Sequence, residues 1–354
     1  MAVICITIGA LSCGGTERAA STLANYLATK GYSIYILTML PVTPFYPLDR
    51  KVKVISPKKD PRLKGKAAGT YLIIKFFRKK LIEISPDSIL NFMFPSFFLL
   101  ITSGLNLNIY ISIRNDPSKI AKYDLIFLRK ILFKKAKGVI AQTNYAKKVL
   151  TNQTGHGNIK VIPNFVKPFR GRDTSVTINK TIICTGRLIK GKGYDHLLDI
   201  FHAVIQKYPE WRLIILGDGP ERNALINQSK GLGIMDKVDF MGFQEDVDKH
   251  LQSAKIFAFC SKSEGFPNAL LEAMATPLPC IAYDCLAGPS ELINDGQNGF
   301  LVPLNDKKYF ADKLLTLMES ERLQEQFKYN SVKVRDIFSV QLLGEKYLST
   351  ILSK

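Results

Sequence analysis

The sequence predicts an α/β protein made of two doubly wound domains. Its 354 residues exceed the size that one hydrophobic core commonly serves, because domains usually hold about 100–200 residues. Apolar runs typical of buried strands alternate with amphipathic helical segments along the whole chain. A stretch rich in proline, glycine and arginine, residues 161–173, separates two such series and is interpreted as a linker.

The first series opens with a fully apolar strand. Gly31 stands just after the first helix, where a glycine commonly ends a helix. The apolar start lacks a basic flank, so we interpret it as a buried strand and not as a secretion signal. The predicted strands cover residues 2–8, 32–40, 88–92, 109–113 and 138–142, and the predicted helices cover 17–30 and 126–136.

The second series repeats this alternation. Continuous apolar strands between helices indicate a parallel sheet covered on both faces, and ligands of such sheets bind at the carboxyl ends of the strands. We therefore expect two doubly wound domains that face each other across a cleft. The predicted strands cover residues 181–185, 212–216, 238–241, 256–260 and 279–282, and the predicted helices cover 194–207 and 222–232.

Composition narrows the class of protein. Hydrophobic residues make up 46% of the chain and charged residues 22%, as in ordinary globular proteins. The six cysteines are scattered without CxxC or zinc-like spacing, which favours a reduced, cytosolic protein. The apolar stretch 89–101 is shorter than the roughly 20 residues that a membrane-spanning helix needs.

The charge is unevenly distributed. The chain carries 49 Lys and Arg against 30 Asp and Glu, a formal net charge of +19. Residues 1–168 hold 26 basic and 7 acidic side chains, whereas the remainder holds 23 of each. A field confined to one half predicts an anionic partner, such as a phosphate-rich ligand, an acidic membrane or nucleic acid.

Two loops of the second half have the character of anion-binding turns. In residues 186–193, Arg187 and Lys192 lie between a strand and a helix, where two fixed charges and the helix N-terminus favour an anion. A solvated basic loop is the alternative. The turn Gly217-Asp218-Gly219-Pro220 also links a strand to a helix, but turns of this kind often have a purely structural role.

The segment from Glu264 to Glu272, EGFPNALLE, is the most specific motif. Its glycine and proline place a turn with free backbone N–H groups before a helix that begins near Asn268. A carboxylate on each side of this turn suits sugar hydroxyls at both ends and a phosphate between them. Glutamates with this spacing also occur by chance, so the turn carries most of the argument.

Together these motifs resemble the retaining family 4 glycosyltransferases of the GT-B fold, in which two Rossmann-like domains face across a cleft. The resemblance covers essentially the whole chain and is strongest in the second half. It implies an N-terminal acceptor domain of residues 1–168, a nucleotide-sugar domain of 169–339 and a C-terminal helix, 340–354, that rejoins the first domain. The matching segments are GGTE (14–17), IPNF (162–165), GRLIKGKG (186–193), GDGP (217–220), MGF (241–243), EGFPNALLEAMA (264–275) and AGPSELINDGQNGFLV (287–302).

The resemblance also implies a role for each matching residue. Arg187 and Lys192 would hold the donor diphosphate, Glu264 would lie by the transferred sugar, and Glu272 would bind the ribose. Arg187, Lys192 and Glu264 are the candidate catalytic residues. The remaining donor contacts are implied for the Gly14-Gly15 turn on the phosphates, the backbone near Phe243 on the base, and the backbone of Phe266, Asn268 and Ala269 on sugar and phosphate.

Retention in this family has no settled protein nucleophile, so no general base is assigned and the expected role of the protein is electrostatic and positional. No cofactor or metal ion is expected, because positive side chains and helix N-termini would stabilise the leaving diphosphate. Many relatives carry a histidine of the first domain near the sugar, but all four histidines here come later than residues 112–117, which read SIRNDP. Arg114 and Asn115, with Asp116, are expected in that region instead.

Two basic amphipathic stretches, residues 71–84 and 125–137, concentrate the charge of the first half. Such helices lie on anionic membrane surfaces, although a core helix with a solvated lysine face has the same pattern. We expect Lys75, Arg78, Lys79 and Lys80 to face the acceptor or the membrane. Phe76 and Phe77 are expected to add apolar insertion.

These features predict a hexosyltransferase-type enzyme, peripheral on the inner face of the cell membrane. The expected donor is a nucleotide sugar (UDP-GlcNAc, UDP-GalNAc or another UDP-hexose). The expected acceptor is a polyprenyl-diphosphate-linked saccharide of surface polysaccharide, O-antigen or glycan assembly. The alternatives are a nucleotide-sugar 2-epimerase and a non-catalytic membrane or nucleic-acid adaptor. The sequence has no nucleic-acid-binding signature, so no nucleic-acid partner is expected.

Overall fold

A computed structural model describes residues 1–58, 60, 66–119, 126–169, 171 and 173–352. The chain divides into two compact units. The N-terminal unit comprises Met1–Phe165 and Val340–Lys354, and the C-terminal unit comprises Val166–Ser339. The sequence placed this division after residue 168, three residues further along. Each unit is a parallel sheet wound with helices, as the fold-class prediction required.

The N-terminal unit contains a seven-stranded sheet whose strands are all parallel, in the order β3-β2-β1-β4-β5-β6-β7. The strands are β1 Val3–Ile8, β2 Ser33–Thr38, β3 Lys53–Ile55, β4 Ser88–Asn91, β5 Ile109–Ser112, β6 Gly138–Ala141 and β7 Ile159–Val161. The helices between them are α1 Gly15–Thr29, α2 Lys66–Ile84, α3 Pro95–Ile101, α4 Ile126–Leu132 and α5 Asn144–Thr154.

The C-terminal unit contains a six-stranded parallel sheet in the order β10-β9-β8-β11-β12-β13. Its strands are β8 Thr181–Thr185, β9 Arg212–Leu216, β10 Val238–Gly242, β11 Ile256–Phe259, β12 Cys280–Asp284 and β13 Phe300–Pro303. Its helices are α6 Tyr194–Ile205, α7 Arg222–Gly231, α8 Val247–Ser253, α9 Asn268–Ala275, α10 Pro289–Leu292, α11 Lys307–Glu319, α12 Glu321–Ser331 and α13 Val334–Ile337.

The last helix, α14 Val340–Ile351, belongs to the N-terminal unit and packs on α1. The two helices approach so closely at Gly344 that a Cβ there would lie 2.3 Å from the Tyr26 ring. The Tyr26 hydroxyl donates to Glu345 Oε1 at 2.6 Å, and Ser88 Oγ donates to the Ile351 carbonyl oxygen. These contacts hold the last helix of the chain against its first helix and against β4.

In each sheet, the strands first follow one another on one side of the first strand and then continue on its other side. This change of side falls between β1 and β4 in one sheet and between β8 and β11 in the other. At such a switch point the connections leave on opposite faces of the sheet, so the carboxyl ends of the two strands open a crevice. The loop after β1 carries Gly14 and Gly15, and the loops after β8 and β11 carry the GRLIKGKG and EGFPNALLE motifs. The topology therefore places these three motifs at the sheet edge where doubly wound sheets commonly bind ligands.

The structure corrects several element boundaries. Strands β3 and β7 were missed because runs of three residues are too short to show a period, and β13 was missed as well. Val161, assigned to the linker, ends β7 and pairs with Ala141. The helix expected over 126–136 ends at Leu132 and continues as a 3-10 turn, Phe133–Lys135. Residues 125, 170, 172, 353 and 354, which the predictions of these elements also covered, lie outside the described residues.

Candidate active site

The loop after β8 is anchored by Leu188, whose side chain is fully buried. Its backbone N–H donates to the Asp218 carbonyl oxygen at 2.9 Å, and its own carbonyl oxygen accepts from Glu221 N–H at 3.1 Å. Gly219 has to be a glycine here, because a Cβ would lie 2.4 Å from the Leu188 carbonyl oxygen. The GRL loop and the GDGP turn, separate motifs in sequence, are therefore one packed unit.

The same loop is also joined to the end of β11. Lys262 N–H donates to the Gly191 carbonyl oxygen at 2.9 Å. Gly193 has a positive φ of 68°, and a Cβ on it would lie 2.0 Å from the Cys260 carbonyl oxygen. The Lys262 ammonium lies 3.1 Å from Asp195. Burial raises the pKa of the Asp195 carboxyl, but the hydrogen bond and charge of Lys262, with smaller contributions from His196, outweigh burial, so the pKa is lowered. These contacts fix the positions of both loops that flank the switch point.

Across this switch point Lys192 and Glu264 form an ion pair, with Nζ and Oε1 2.6 Å apart. The pair is largely shielded, with 25% of the Lys192 side chain and 10% of the Glu264 side chain exposed. The Arg187 side chain, in contrast, is exposed, and its guanidinium makes no hydrogen bond or ion pair with another residue that the structure describes. The loop thus presents one cation held by a carboxylate and one that is open to an incoming anion.

The GFPN turn is fixed by its apolar side chains. Phe266 is buried against Phe338, with ring centroids 6.0 Å apart, so only its backbone is available to a ligand. Pro267 packs on Gly288, where φ is 108° and a Cβ would lie 2.2 Å from the Pro267 Cδ atom. Sequence reasoning assigned no role to Gly288. A glycine between alanine and proline at 287–289 was the available signal.

Helix α9 begins at Asn268, as predicted, and Glu272 lies one turn inside it. Asn268, Ala269 and Glu272 are half-buried, and the side chains on the opposite side of the helix, such as Leu270 and Leu271, are buried. Asn268 N–H donates to the Phe266 carbonyl oxygen at 2.9 Å, so the backbone donors that this turn can offer come after Asn268, where the first N–H groups of a helix have no partner within it.

A third loop, after β10, borders the same edge. Gly217 N–H donates to the Gly242 carbonyl oxygen at 2.8 Å, and Gly217 could not carry a Cβ, which would lie 2.0 Å from the Gly186 carbonyl oxygen. Next to Gly242, Phe243 keeps 59% of its surface exposed. An exposed aromatic side chain at the end of an ordered strand offers a flat apolar surface of the kind that suits a base.

In the N-terminal unit, Gly14 precedes α1 with an extended backbone, and its carbonyl oxygen accepts from Arg18 N–H at 2.9 Å. Gly15 is the first residue of the helix, which places the glycine turn directly at the β1–β4 switch point. Asn115 is exposed, whereas the Arg114 guanidinium is enclosed and donates to Asn164 Oδ1 at 2.5 Å. Arg114 at this strand end is therefore not a solvated surface arginine.

The basic surface of α2 differs from the expectation in two places. Lys75 and Lys79 are exposed, and Lys80 pairs with Glu83 at 2.5 Å. Arg78 instead donates to the carbonyl oxygens of Ile101 and Ser103, at 2.7 and 3.1 Å, and so holds the end of α3. Phe77 is fully buried and cannot insert into a membrane, because it lies one helical turn from Ile73 and Leu81 on the core face.

Comparison with known proteins decides the family. The model described as Glycosyl transferases group 1 matches residues 169–334, and the model described as Glycosyltransferase Family 4 matches residues 13–170. The chain is a family 4 glycosyltransferase with the GT-B fold. The family and fold that the motifs indicated are thereby confirmed.

Individual relatives align with nearly the whole length of this glycosyltransferase. It is 28% identical over 342 residues to an uncharacterised glycosyltransferase of Haemophilus influenzae, covering 95% of this chain and 96% of the relative. It is 27% identical over 356 residues to a Campylobacter jejuni α-1,4-N-acetylgalactosaminyltransferase, named for a diNAcBac-PP-undecaprenol-linked GalNAc disaccharide, covering 99% and 98%. A mutant of S. aureus TarM, crystallised with fondaparinux, α-GlcNAc-glycerol and UDP, shares the fold with a TM-score of 0.81 at 17% identity, over 100% of both chains.

Three further features of this glycosyltransferase are its cysteines, its potential metal ligands and the length of its helices. Five of its six cysteines are buried, and burial raises the pKa of the Cys285 thiol to about 12, which disfavours a reactive thiolate. Within the described ranges, no three His, Cys, Asp or Glu side chains come close enough together to share a metal ion. No helix in the described part of the chain has both the length and the apolar character to cross a bilayer.

Proposed function

We propose that this glycosyltransferase moves a hexose or N-acetylhexosamine from a UDP-linked donor to a polyprenyl-diphosphate-linked saccharide, with retention of anomeric configuration. The pathway is the assembly of a bacterial surface polysaccharide, O-antigen or related glycan. The UDP complex of the TarM structure and the undecaprenol-linked substrate in the name of the C. jejuni relative support the donor and acceptor classes. Its working place is the cytoplasmic face of the membrane, to which it binds peripherally.

The observation that carries the proposal is the Lys192–Glu264 pair beside the open Arg187 at the β8–β11 switch point. A donor diphosphate carries more negative charge than a single carboxylate and would draw the Lys192 ammonium away from Glu264. The released carboxylate would then accept hydrogen bonds from hydroxyls of the transferred sugar. Diphosphate binding and sugar orientation would thus be coupled through one ion pair.

The other proposed contacts come from both units. Glu272 would accept from the ribose hydroxyls, and the backbone of Phe266, Asn268 and Ala269 would contact sugar and phosphate. The backbone beside Phe243 would meet the base. The Gly14-Gly15 turn, which has no side chain to obstruct an approach, would contact the phosphates.

Catalysis would be electrostatic. Cleavage of the bond to the anomeric carbon leaves negative charge on the diphosphate, and Arg187 and Lys192 would stabilise that charge as it develops. The site needs no metal ion in this scheme, because two cations and the N-terminus of α9 supply the positive potential. The proton of the attacking hydroxyl would pass to a phosphate oxygen of the donor, so no protein base is required.

The acceptor and the membrane would both use the basic N-terminal unit. Tyr71, Lys75, Lys79 and Ile82 are exposed along one face of α2, with spacings of three and four residues. A stripe that combines two lysines with two large apolar side chains suits the boundary between anionic headgroups and acyl chains. This face would keep the enzyme where a lipid-linked acceptor is found.

The test is incubation of the purified chain with a panel of nucleotide sugars, with and without a short polyprenyl-diphosphate saccharide. Slow hydrolysis of one UDP-sugar, and its transfer to the acceptor with an α-linkage detected by NMR, are the expected results. Epimerisation of the donor without transfer, or silence with every donor, would contradict the proposal.

A further inference from the structure

Strand β5 carries a run of buried polar atoms on one face. Ile109, Ile111 and Ile113 point into the hydrophobic core, so the alternation of a strand directs Tyr110, Ser112 and Arg114 to the opposite face. The hydroxyls of Tyr110 and Ser112, and the Nε and Nη2 atoms of Arg114, are buried without a hydrogen-bond partner among the described residues. Buried groups of this kind are uncommon, because each loses its hydration without compensation.

Arg114 is surrounded by neutral groups. Nη1 donates to Asn164 Oδ1 at 2.5 Å and, with the Gln142 amide oriented to suit its neighbours, to Gln142 at 3.1 Å. The guanidinium carbon lies 4.6 Å from the centre of the Phe92 ring. Burial lowers the pKa of Arg114, and the neighbouring Tyr347 hydroxyl acts in the opposite direction. No carboxylate in the described part of the chain pairs with this charge.

The position of the cluster points to a ligand. Phe92, Arg114, Gln142 and Asn164 follow the carboxyl ends of β4, β5, β6 and β7, four neighbouring strands of the parallel sheet. This edge is where doubly wound sheets bind their ligands. A buried arginine stays charged, so an enclosed guanidinium without a counter-ion would be stabilised by an anion at this edge.

We propose that Arg114, held by Asn164 and Gln142, is an anion site of the N-terminal unit that binds oxygens of a diphosphate. Nε and Nη2 form one edge of the guanidinium, which matches two oxygens of a phosphate group in a bidentate contact. Both donors are covered in the present conformation, so binding requires a local rearrangement. The inference rests on the proposed function, which supplies two sources of diphosphate, the donor nucleotide and the lipid carrier of the acceptor.

The first experiment separates these sources by calorimetry on the full chain. Pyrophosphate is titrated into protein saturated with UDP, and UDP is titrated into protein alone, for wild type, Arg114→Gln, Arg114→Lys and the exposed control Lys147→Gln. A weakening of pyrophosphate binding by at least tenfold in Arg114→Gln, with partial recovery in Arg114→Lys, supports the site and assigns it to the acceptor. The same loss for UDP supports the site and assigns it to the donor.

Unchanged affinity of Arg114→Gln for both ligands overturns the inference.

Thermal unfolding is an independent test of whether Arg114 has a structural role. An uncompensated buried charge costs stability, so Arg114→Gln should unfold at the same or a higher temperature than wild type. Arg129→Gln, which removes a buried arginine bonded to Gln153 at 2.8 Å, should unfold at a lower one. An equal fall in both variants, with normal pyrophosphate and UDP binding by Arg114→Lys, would assign Arg114 a structural role and overturn the site.

The failure of the proposed function would look different. If no nucleotide sugar is hydrolysed or transferred, yet Arg114→Gln loses pyrophosphate or UDP binding, the activity is wrong and the anion site stands.

Discussion

At the scale of single residues, the two cations of the β8 loop differ in their surroundings. Arg187 is exposed and unpaired among the described residues, so Arg187→Ala should leave folding unchanged. Its kcat/KM should fall about 100-fold, since a charge facing the leaving diphosphate is worth roughly 3 kcal/mol. The matched control is Lys190→Ala, an exposed cation of the same loop with no assigned role. Equal activity of both variants would remove Arg187 from the site.

The second prediction concerns Lys192, whose ion-pair partner is Glu264. Lys192→Ala strands the largely shielded Glu264 carboxylate and should cost both activity and about 1–3 kcal/mol of unfolding free energy. Lys192→Ala combined with Glu264→Gln should restore the stability but not the activity. Denaturant titration and donor hydrolysis of the single and double variants measure this. Additive losses of stability would show that the two side chains do not interact.

The two glutamates of EGFPNALLE should separate binding from transfer. Glu272→Ala should chiefly weaken UDP binding, because Glu272 is proposed to hold the ribose. Glu264→Ala should chiefly reduce kcat, because Glu264 is proposed to orient the transferred sugar. Calorimetry with UDP and turnover at saturating donor distinguish the two effects. Intact UDP affinity in Glu272→Ala would count against the proposed roles.

At the scale of elements, α14 is expected to stabilise the N-terminal unit. It buries Leu343, Tyr347 and Ile351, and deletion of residues 340–354 would expose the surfaces they cover. A finer variant is Gly344→Ala, which forces a methyl group against the Tyr26 ring and should cost about 1–3 kcal/mol.

The control for this prediction is Gly231→Ala at the end of α7, where the added Cβ meets nothing within 4 Å. Alanine favours the helix over glycine by up to about 1 kcal/mol, so this variant should be neutral or stabilised. Chemical denaturation compares the two. If Gly344→Ala is as stable as Gly231→Ala, the close packing of α14 on α1 is not a source of stability.

At the scale of the whole molecule, the net charge of +19 belongs to the N-terminal half and predicts binding to anionic vesicles. Each lysine close to such a surface contributes about 1 kcal/mol, and salt screens the attraction beyond about 8 Å at physiological ionic strength. Reversal of the exposed Lys75 and Lys79 to Glu should release the protein and reduce transfer to a long-chain lipid acceptor more than to a short soluble one. Arg78 is left unchanged because it holds the end of α3.

The matched control reverses Lys147 and Lys148, two exposed lysines of α5, to Glu. Both double variants change the net charge equally, so a difference in co-sedimentation isolates the α2 face from the overall field. Equal release by both would reduce the membrane interaction to net charge. Equal binding of wild type to neutral and anionic vesicles would exclude an electrostatic interaction.

Local sequence was sufficient for the strands and for the turns that follow them. A buried parallel strand is a continuous apolar run, and the glycines at 186, 193, 217 and 219 mark turns in which an added Cβ would lie less than 3.0 Å from a neighbouring atom. The fold class and the family therefore followed from the sequence. The three-residue strands did not, because β3 and β7 are recognisable only by the neighbours with which they pair.

The sequence by itself determined which residue types stand at the carboxyl ends of the strands. Only the tertiary structure decided what those side chains meet. It pairs Lys192 with Glu264, 72 positions away, and leaves the Arg114 guanidinium enclosed among neutral groups. It likewise bonds Arg78 of α2, expected as a surface charge, to the end of α3. The reason is physical: strand and turn formation depend on neighbours in sequence, whereas the pairing and burial of a charge depend on groups that folding alone brings within a few ångströms.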